Sequence, residues 1–290
     1  MTLWKAIVMG IVQGLTEFLP VSSSAHLAIL KNILNIDLGS GILFDIILHL
    51  GTLTAICIAY WQDISKMVQE GIGILVDCVK NIQIFLNKEE GKAPRYIKIV
   101  NSTYRKFVML VLVSIIPTGV IGFATKELVE AADQLLIIPG ICLLITSALL
   151  SLSERVPEGN KLPKKISYTN GFLIGIVQGI ATLPGISRSG STITACMVSG
   201  FDKRFAVKFS FIMSIPAILG AAILEIKDAF GEQVAAKEWI YYLVGAVVAG
   251  VVGYACIRTM LVLIKNKGFY IFSAYCFIVG SVTVGAFFIL

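Results

Sequence analysis

The sequence predicts an all-α integral membrane protein, built as an inverted-topology repeat with two re-entrant helical hairpins and about six transmembrane helices. Three observations carry this prediction. The chain of 290 residues is 57% hydrophobic and only 14% charged, with a mean hydropathy of +0.86, which excludes an ordinary soluble domain. Residues 11–24, IVQGLTEFLPVSSS, reappear as residues 176–189, IVQGIATLPGISRS. With one residue deleted, Gln13, Gly14, Leu19 and Pro20 fall on Gln178, Gly179, Leu183 and Pro184. Finally, the loops between apolar segments alternate between basic and acidic. The net charge of +6 therefore reads as a positive-inside signal and not as a nucleic-acid surface.

Taken in order, residues 3–34 are apolar but interrupted by Glu17, Pro20, three serines and His26. Two short helices meeting at a broken tip fit this better than one span, since irregular backbone needs surrounding protein or a water-filled cavity. The apolar run lacks a basic leader and does not read as a cleavable signal peptide. Residues 42–61 form a span ending at an interfacial pair, Tyr60-Trp61. Residues 64–87 are interrupted by Asp77 and Lys80 and read as an amphipathic helix at the interface. A basic loop, 88–106, leads to spans at 107–124 and 135–152, separated by an acidic loop at 126–133. After a basic loop at 154–165 comes the second broken hairpin, 170–200. Spans at 209–226, 240–264 and 269–290 complete the chain. The six cysteines are scattered, without CxxC spacing, and read as small core residues.

Placing the basic loops inside and the acidic loops (126–133 and 227–238) outside makes both hairpins re-entrant. Each half then holds one hairpin and three spans. Three is odd, so the halves are opposed: 1–152 is the first inverted repeat, with 64–106 as its cytoplasmic segment, and 153–290 is the second. If residues 64–87 span, the inversion fails.

The chemistry concentrates at the two breaks. Residues 183–192, LPGISRSGST, place Arg188 among hydroxyls and glycines just after a helix-breaking Pro184-Gly185. An arginine within apolar sequence marks a functional site. The start of the next helix would offer free N–H groups to an anion, and the guanidinium fork matches phosphate oxygens. We read a phosphate cradle there. Ser187, Ser189 and Thr192 either touch phosphate or cap the helix. The first copy brings Glu17 and His26 instead, a division suited to a composite site.

QGLTEFLPVSSSAH and LPGISRSGST resemble the two signature regions of the undecaprenyl-pyrophosphate phosphatases, the bacitracin-resistance family. Gln13 and Glu17 match its Glu/Gln-x-x-x-Glu motif, followed by Pro20, Ser22, Ser23 and His26. Pro184, Gly185, Ser187, Arg188, Ser189 and Thr192 match Pro-Gly-x-Ser-Arg-Ser-x-x-Thr. Gln13 stands where some members carry Glu, which removes one carboxylate from a metal site.

The resemblance implies a hydrolase of a phosphoanhydride bond. Its substrate would be the C55 lipid carrier diphosphate, and its product the monophosphate used in peptidoglycan and cell-wall synthesis. It further implies dependence on Mg²⁺ or Ca²⁺, a bacterial inner-membrane location, a site opening outward, and bacitracin resistance. Polyprenyl diphosphate and membrane lipids are the expected partners, with a homodimer as an option and no nucleic acid. Glu17 is read as a metal ligand or general acid/base, with Gln13 one turn earlier contributing an oxygen. Motif position selects Ser23 as nucleophile and Ser22 as a phosphate contact. His26, three residues on, is either the base for Ser23 or itself the nucleophile; metal-bound water is the third option. Asp45 and His49, at i and i+4, read as a satisfied pair within a span. The rival function is a secondary transporter or flippase of an anionic lipid, since inverted repeats with broken helices are transporter architecture. The Ser23, His26 and Glu17 grouping opposite Arg188 speaks for hydrolysis.

Overall fold

A computed structural model describes residues 1–34, 36, 42–87, 94–133, 135–229, 235–263 and 268–289. Twelve α-helices appear among them: α1 Leu3–Phe18, α2 Ser23–Ile33, α3 Ile42–Ala59, α4 Trp61–Leu86, α5 Thr103–Ala124, α6 Lys126–Asp133, α7 Ile137–Arg155, α8 Tyr168–Ile180, α9 Arg188–Val198, α10 Lys203–Ala229, α11 Ala236–Leu263 and α12 Phe269–Ile289. Six of them, α3, α5, α7, α10, α11 and α12, are long and apolar enough to cross a membrane. They coincide with the six expected spans. The chain is an all-α, multi-pass membrane protein.

Both expected broken hairpins are present as pairs of short helices, α1/α2 and α8/α9, with each pair in contact. Their packing is related. α1 lies along α11, and α8 lies along α5. Both pairings run parallel and both are built on glycines spaced by four, the small-residue pattern that lets helix backbones approach in an apolar medium. A Cβ on Gly10 would meet the Gly245 carbonyl at 2.5 Å, and one on Gly14 the Ala249 carbonyl at 2.7 Å. On the other side, a Cβ on Gly175 would meet the Ser114 carbonyl at 2.1 Å, and one on Gly179 the Ile121 Cβ at 2.7 Å. α3 and α10 meet across the bundle, and α7 packs antiparallel on α12. There the Ser147 hydroxyl donates to the Ser273 carbonyl at 2.8 Å.

α4 turns its acidic residues, spaced by seven, toward the protein. Arg105 of α5 donates to Glu70 at 2.8 Å and to Asp77 at 2.5 Å. Asp63 accepts from the Tyr104 hydroxyl at 3.0 Å and pairs with Lys208 of α10 at 2.8 Å. The bonds from Arg105 and Ser102 hold the Glu70 carboxyl below the usual carboxylate range. Val68, Ile72, Leu75, Val79 and Ile82 cover the opposite, exposed face. α4 is thus amphipathic, as its sequence suggests, and it is not among the six apolar spans.

Three local expectations change. Residues 126–133, read as a loop, form helix α6, because Lys, Glu, Leu and Ala there are all strong helix formers. The basic stretch after the second hairpin, 203–208 with Lys203, Arg204 and Lys208, reads from the sequence as a loop on the inside; it forms instead the first turns of α10, whose start is capped by Asp202 accepting from the Phe205 N–H at 2.9 Å. Tyr60, read as interfacial, is buried, whereas its neighbour Trp61 is exposed. The six cysteines are free thiols and four are buried, in keeping with their reading as core residues. The basic residues Lys88, Lys92, Lys265 and Lys267 lie outside the described residues.

The glycine contacts give a direct test. Gly175→Val should lower stability in detergent by at least about 1–3 kcal/mol, the usual range for overpacking, since the obstacle is backbone. Gly285→Val, where nothing lies within 4 Å, should leave the unfolding midpoint within error. Differential scanning fluorimetry of the purified variants measures both.

Candidate active site

Each broken hairpin ends its first helix and starts its second for local reasons. Pro20 cannot continue α1, and it forces the residue before it out of the helical region. Leu19 is accordingly extended, at φ −71° and ψ 143°. In the second hairpin, Gly185 takes φ +96° within a tight turn, where a Cβ would meet the Pro139 carbonyl at 2.4 Å. The new helices are then capped by serines. The Ser22 hydroxyl accepts from the Ala25 N–H at 3.4 Å, and the Ser187 hydroxyl from the Gly190 N–H at 3.1 Å. Ser23 and Arg188 consequently occupy the same place, the first residue of α2 and of α9. The two tips touch: the Gly185 N–H donates to the Ser24 hydroxyl at 3.2 Å.

Between the tips sits Glu17, with a side chain only 2% exposed. Its Oε1 is ion-paired with Arg188 Nη2. Its Oε2 accepts from the Ser23 hydroxyl at 2.7 Å and from Gln13 Nε2 at 3.1 Å. His49 Nε2 stands 3.8 Å from the same oxygen. A buried carboxylate is tolerable only when paired and hydrogen-bonded in this way. Arg188 is itself 24% exposed and lines the cavity described next.

Glu17, Ser22, Ser23, Ser24, His49, Ser187, Arg188 and Ser189 line one end of a cavity of about 390 Å³. The remaining walls come mainly from α5 and α10, with Ile115, Gly119, Phe123, Ala217, Gly220 and Leu224, joined by Val129 of α6 and by Ala181 and Ile186 of the second hairpin's turn, and are largely apolar. Lys126 and Glu225 also line it. A polar end joined to an apolar trough suits an amphiphile whose head is anionic.

The structure therefore brings together Glu17, Ser22, Ser23, Ser187, Arg188 and Ser189, with Gln13 behind them. It does not bring two other expected residues to the cavity. Thr192 is fully buried and turned to its own helix and to α10, bonded to the Arg188 carbonyl at 2.8 Å and to the Ser210 hydroxyl at 2.6 Å. His26 faces away from Ser23: Nδ1 lies 2.7 Å from the Ser22 carbonyl and Nε2 lies 2.8 Å from the Tyr275 hydroxyl. The sequence reading also passed over His49. Its supposed partner, the Asp45 carboxylate, pairs with Lys31 instead, and His49 Nδ1 bonds the Asp45 carbonyl at 2.8 Å. An imidazole in the middle of an apolar span was the available signal.

Fold and site together define a polytopic membrane protein with a buried, charged polar centre at two paired helix breaks. The sequence profile of the bacitracin resistance protein BacA matches residues 6–282. The chain is 40% identical to the undecaprenyl-diphosphatase of Alkaliphilus metalliredigens over 284 residues, 98% of each chain. It is 37% identical to that of Methanosphaera stadtmanae over 280 residues, 97% of this chain and 96% of that one. With the undecaprenyl-diphosphatase of Desulforapulum autotrophicum the identity is 37% over the full length of both. The chain belongs to the BacA family.

The central ion pair predicts strong coupling. Glu17→Gln and Arg188→Met should each destabilise the protein. The double variant should be less destabilised than the sum of the two, by about 0.5–3 kcal/mol, as contacting charged residues usually are. Unfolding curves for the four proteins in one detergent give the coupling energy.

Proposed function

We propose that this protein is a membrane phosphatase that hydrolyses undecaprenyl diphosphate to undecaprenyl phosphate and inorganic phosphate, recycling the lipid carrier for cell-wall synthesis and so conferring resistance to bacitracin. One observation carries the reading. A serine hydroxyl donates to a buried carboxylate whose other oxygen is held by an arginine, at the polar end of a cavity with apolar walls. The relatives' shared name supports it. A transporter of an anionic lipid would use Arg188 and the trough, but would leave the Ser23–Glu17 bond without a purpose.

In this proposal the isoprenoid lies in the trough and the diphosphate meets the tips. Arg188 turns its fork from Glu17 to the terminal phosphoryl oxygens and stabilises their charge in the transition state. Ser187 and Ser189, with the free N–H groups at the start of α9, complete the cradle. Ser23 attacks phosphorus while Glu17 takes its proton, and the bridging oxygen departs with undecaprenyl phosphate. Water then releases phosphate from the serine. The fit to a divalent cation is supported by the donor set. Gln13 is fully buried, and its Oε1 has no hydrogen-bond partner among the described residues. Beside Glu17, it offers the oxygen chemistry that Mg²⁺ or Ca²⁺ prefers. Among the described residues no three His, Cys, Asp or Glu side chains cluster, so these two residues and the substrate's own oxygens would hold the ion. When bound, the cation supplies charge neutralisation at the diphosphate.

The same proposal places the chain in a bacterial inner membrane, with hairpins entering from opposite sides and the site opening outward. The matched parallel pairings of α1 with α11 and of α8 with α5 support two inverted halves, 1–152 and 153–290.

Purified protein in detergent should release phosphate from a prenyl diphosphate, and EDTA should stop it. Arg188→Lys, which keeps the charge but loses the fork, should cost at least about 100-fold in kcat, the usual loss of one transition-state donor. Near-normal turnover in Arg188→Lys would sink the cradle. Folded wild type that releases no phosphate with metal present would return the transporter reading to first place.

A further inference from the structure

Ser22 is the one described non-glycine residue with a positive φ, at +69° with ψ 102°. An L side chain is held there only when its surroundings over-determine it, and such strain collects at functional sites. The residue is buried and lies immediately before Ser23. What fixes its carbonyl is His26. Nδ1 of that ring is 2.7 Å from the Ser22 oxygen. A carbonyl can only accept, so Nδ1 must carry the proton. In the neutral ring, Nε2 is then the acceptor, and its partner is the Tyr275 hydroxyl at 2.8 Å. The two rings also stack, with centroids 5.6 Å apart and planes inclined by 9°. With both nitrogens engaged, the neutral imidazole has no lone pair left for Ser23, and His26 is not among the residues lining the cavity. The Ser23 hydroxyl is already committed to Glu17.

We infer that His26 and Tyr275 form a strut that holds the strained Ser22 peptide and so aims Ser23, which makes Tyr275 of the last helix a positioning residue for the reaction. This rests on the phosphatase reading for its kinetic consequences but not for its structural ones. The strut reaches from α2 to α12, whose neighbour α7 closes over the second tip at Gly185. A side chain near the carboxyl end of the chain therefore sets the geometry of a serine near its start. Asparagine can place an amide N–H close to where Nδ1 stands, but it has no nucleophilic or basic nitrogen. The strut and the chemical roles for His26 thus make opposite predictions for the same substitution.

The experiment compares phosphate release from a prenyl diphosphate by wild type, His26→Asn, His26→Ala and Tyr275→Phe in one detergent. It is run beside nitrogen-15 histidine spectra of wild type and Tyr275→Phe. The strut predicts that Tyr275→Phe lowers kcat about fivefold, the worth of one ordinary hydrogen bond, with KM nearly unchanged. It predicts that His26→Asn keeps kcat within about tenfold of wild type while His26→Ala loses far more, as misplacing a reacting group does. In the spectra, wild-type His26 should be the Nδ1–H tautomer, with an Nε2 signal that moves in Tyr275→Phe. If His26→Asn is as inactive as His26→Ala while Tyr275→Phe turns over normally, His26 acts chemically and the strut is wrong. An Nε2–H tautomer overturns it as well. If wild type releases no phosphate, the phosphatase reading falls, and the nitrogen spectra alone decide for or against the strut.

Discussion

The contact between Glu17 and Arg188 is what the rest of the molecule has to accommodate. One partner belongs to the end of α1 and the other to the start of α9, so the pair joins the two broken hairpins. Neither charge could stand alone in so apolar a bundle, because removing one partner from a buried pair leaves the other uncompensated. The fold meets this demand with backbone geometry. Pro20 ends α1, Gly185 turns the chain beyond the end of α8, and Ser22 and Ser187 cap the two helices that follow. In the space between, an acid, a hydroxyl and a guanidinium come within hydrogen-bonding reach. The two charges thereby balance each other within the protein, and an incoming anion would compete with Glu17 for the guanidinium.

Much of this was legible in the sequence. The six spans stand out by hydropathy. The two hairpins stand out by their interruptions, because a proline breaks a helix and polar backbone at membrane depth needs protein or water around it. The likeness of residues 11–24 to 176–189 pairs the two breaks, but its register loosens beyond them: Pro20 on Pro184 would put Ser23 on Ser187, whereas Ser23 and Arg188 are the residues that begin α2 and α9. What could not be read was the direction of side chains beyond the break. His26 lies three residues after Ser23, a spacing that suits mutual contact on a helix. The positive φ of Ser22 redirects the local carbonyl, and the ring follows that carbonyl and Tyr275. Thr192 fits a phosphate motif but spends its hydroxyl on its own helix and on Ser210. His49 was hidden by an apparent partner four residues away, since a spacing rule cannot see that Lys31 claims the Asp45 carboxylate.

The glycines show a different limit. Gly10 and Gly14, and then Gly171, Gly175 and Gly179, recur every four residues, which signals close helix packing but does not name the partner. The partners turn out to be crosswise. α1, from the first half, is received by α11 of the second, and α8 is received by α5 of the first. The halves are interleaved and not merely adjacent, which is why the two tips meet at one point with their side chains facing.

That interleaving bears on how the chain is made. α1 leaves the ribosome long before α11, yet the surface shaped for its glycines belongs to that later helix, which begins at Ala236. Until residue 188 is made, α1 carries Gln13 and Glu17 without Arg188, so the nascent first hairpin holds an acid whose counter-charge has not yet been synthesised. Its final seating must be a late event in assembly, after most of the spans have been inserted. Contacts this distant along the chain are slow to close. A truncation that removes α11 would therefore strand α1, made some two hundred residues before it, and not only the segments near α11.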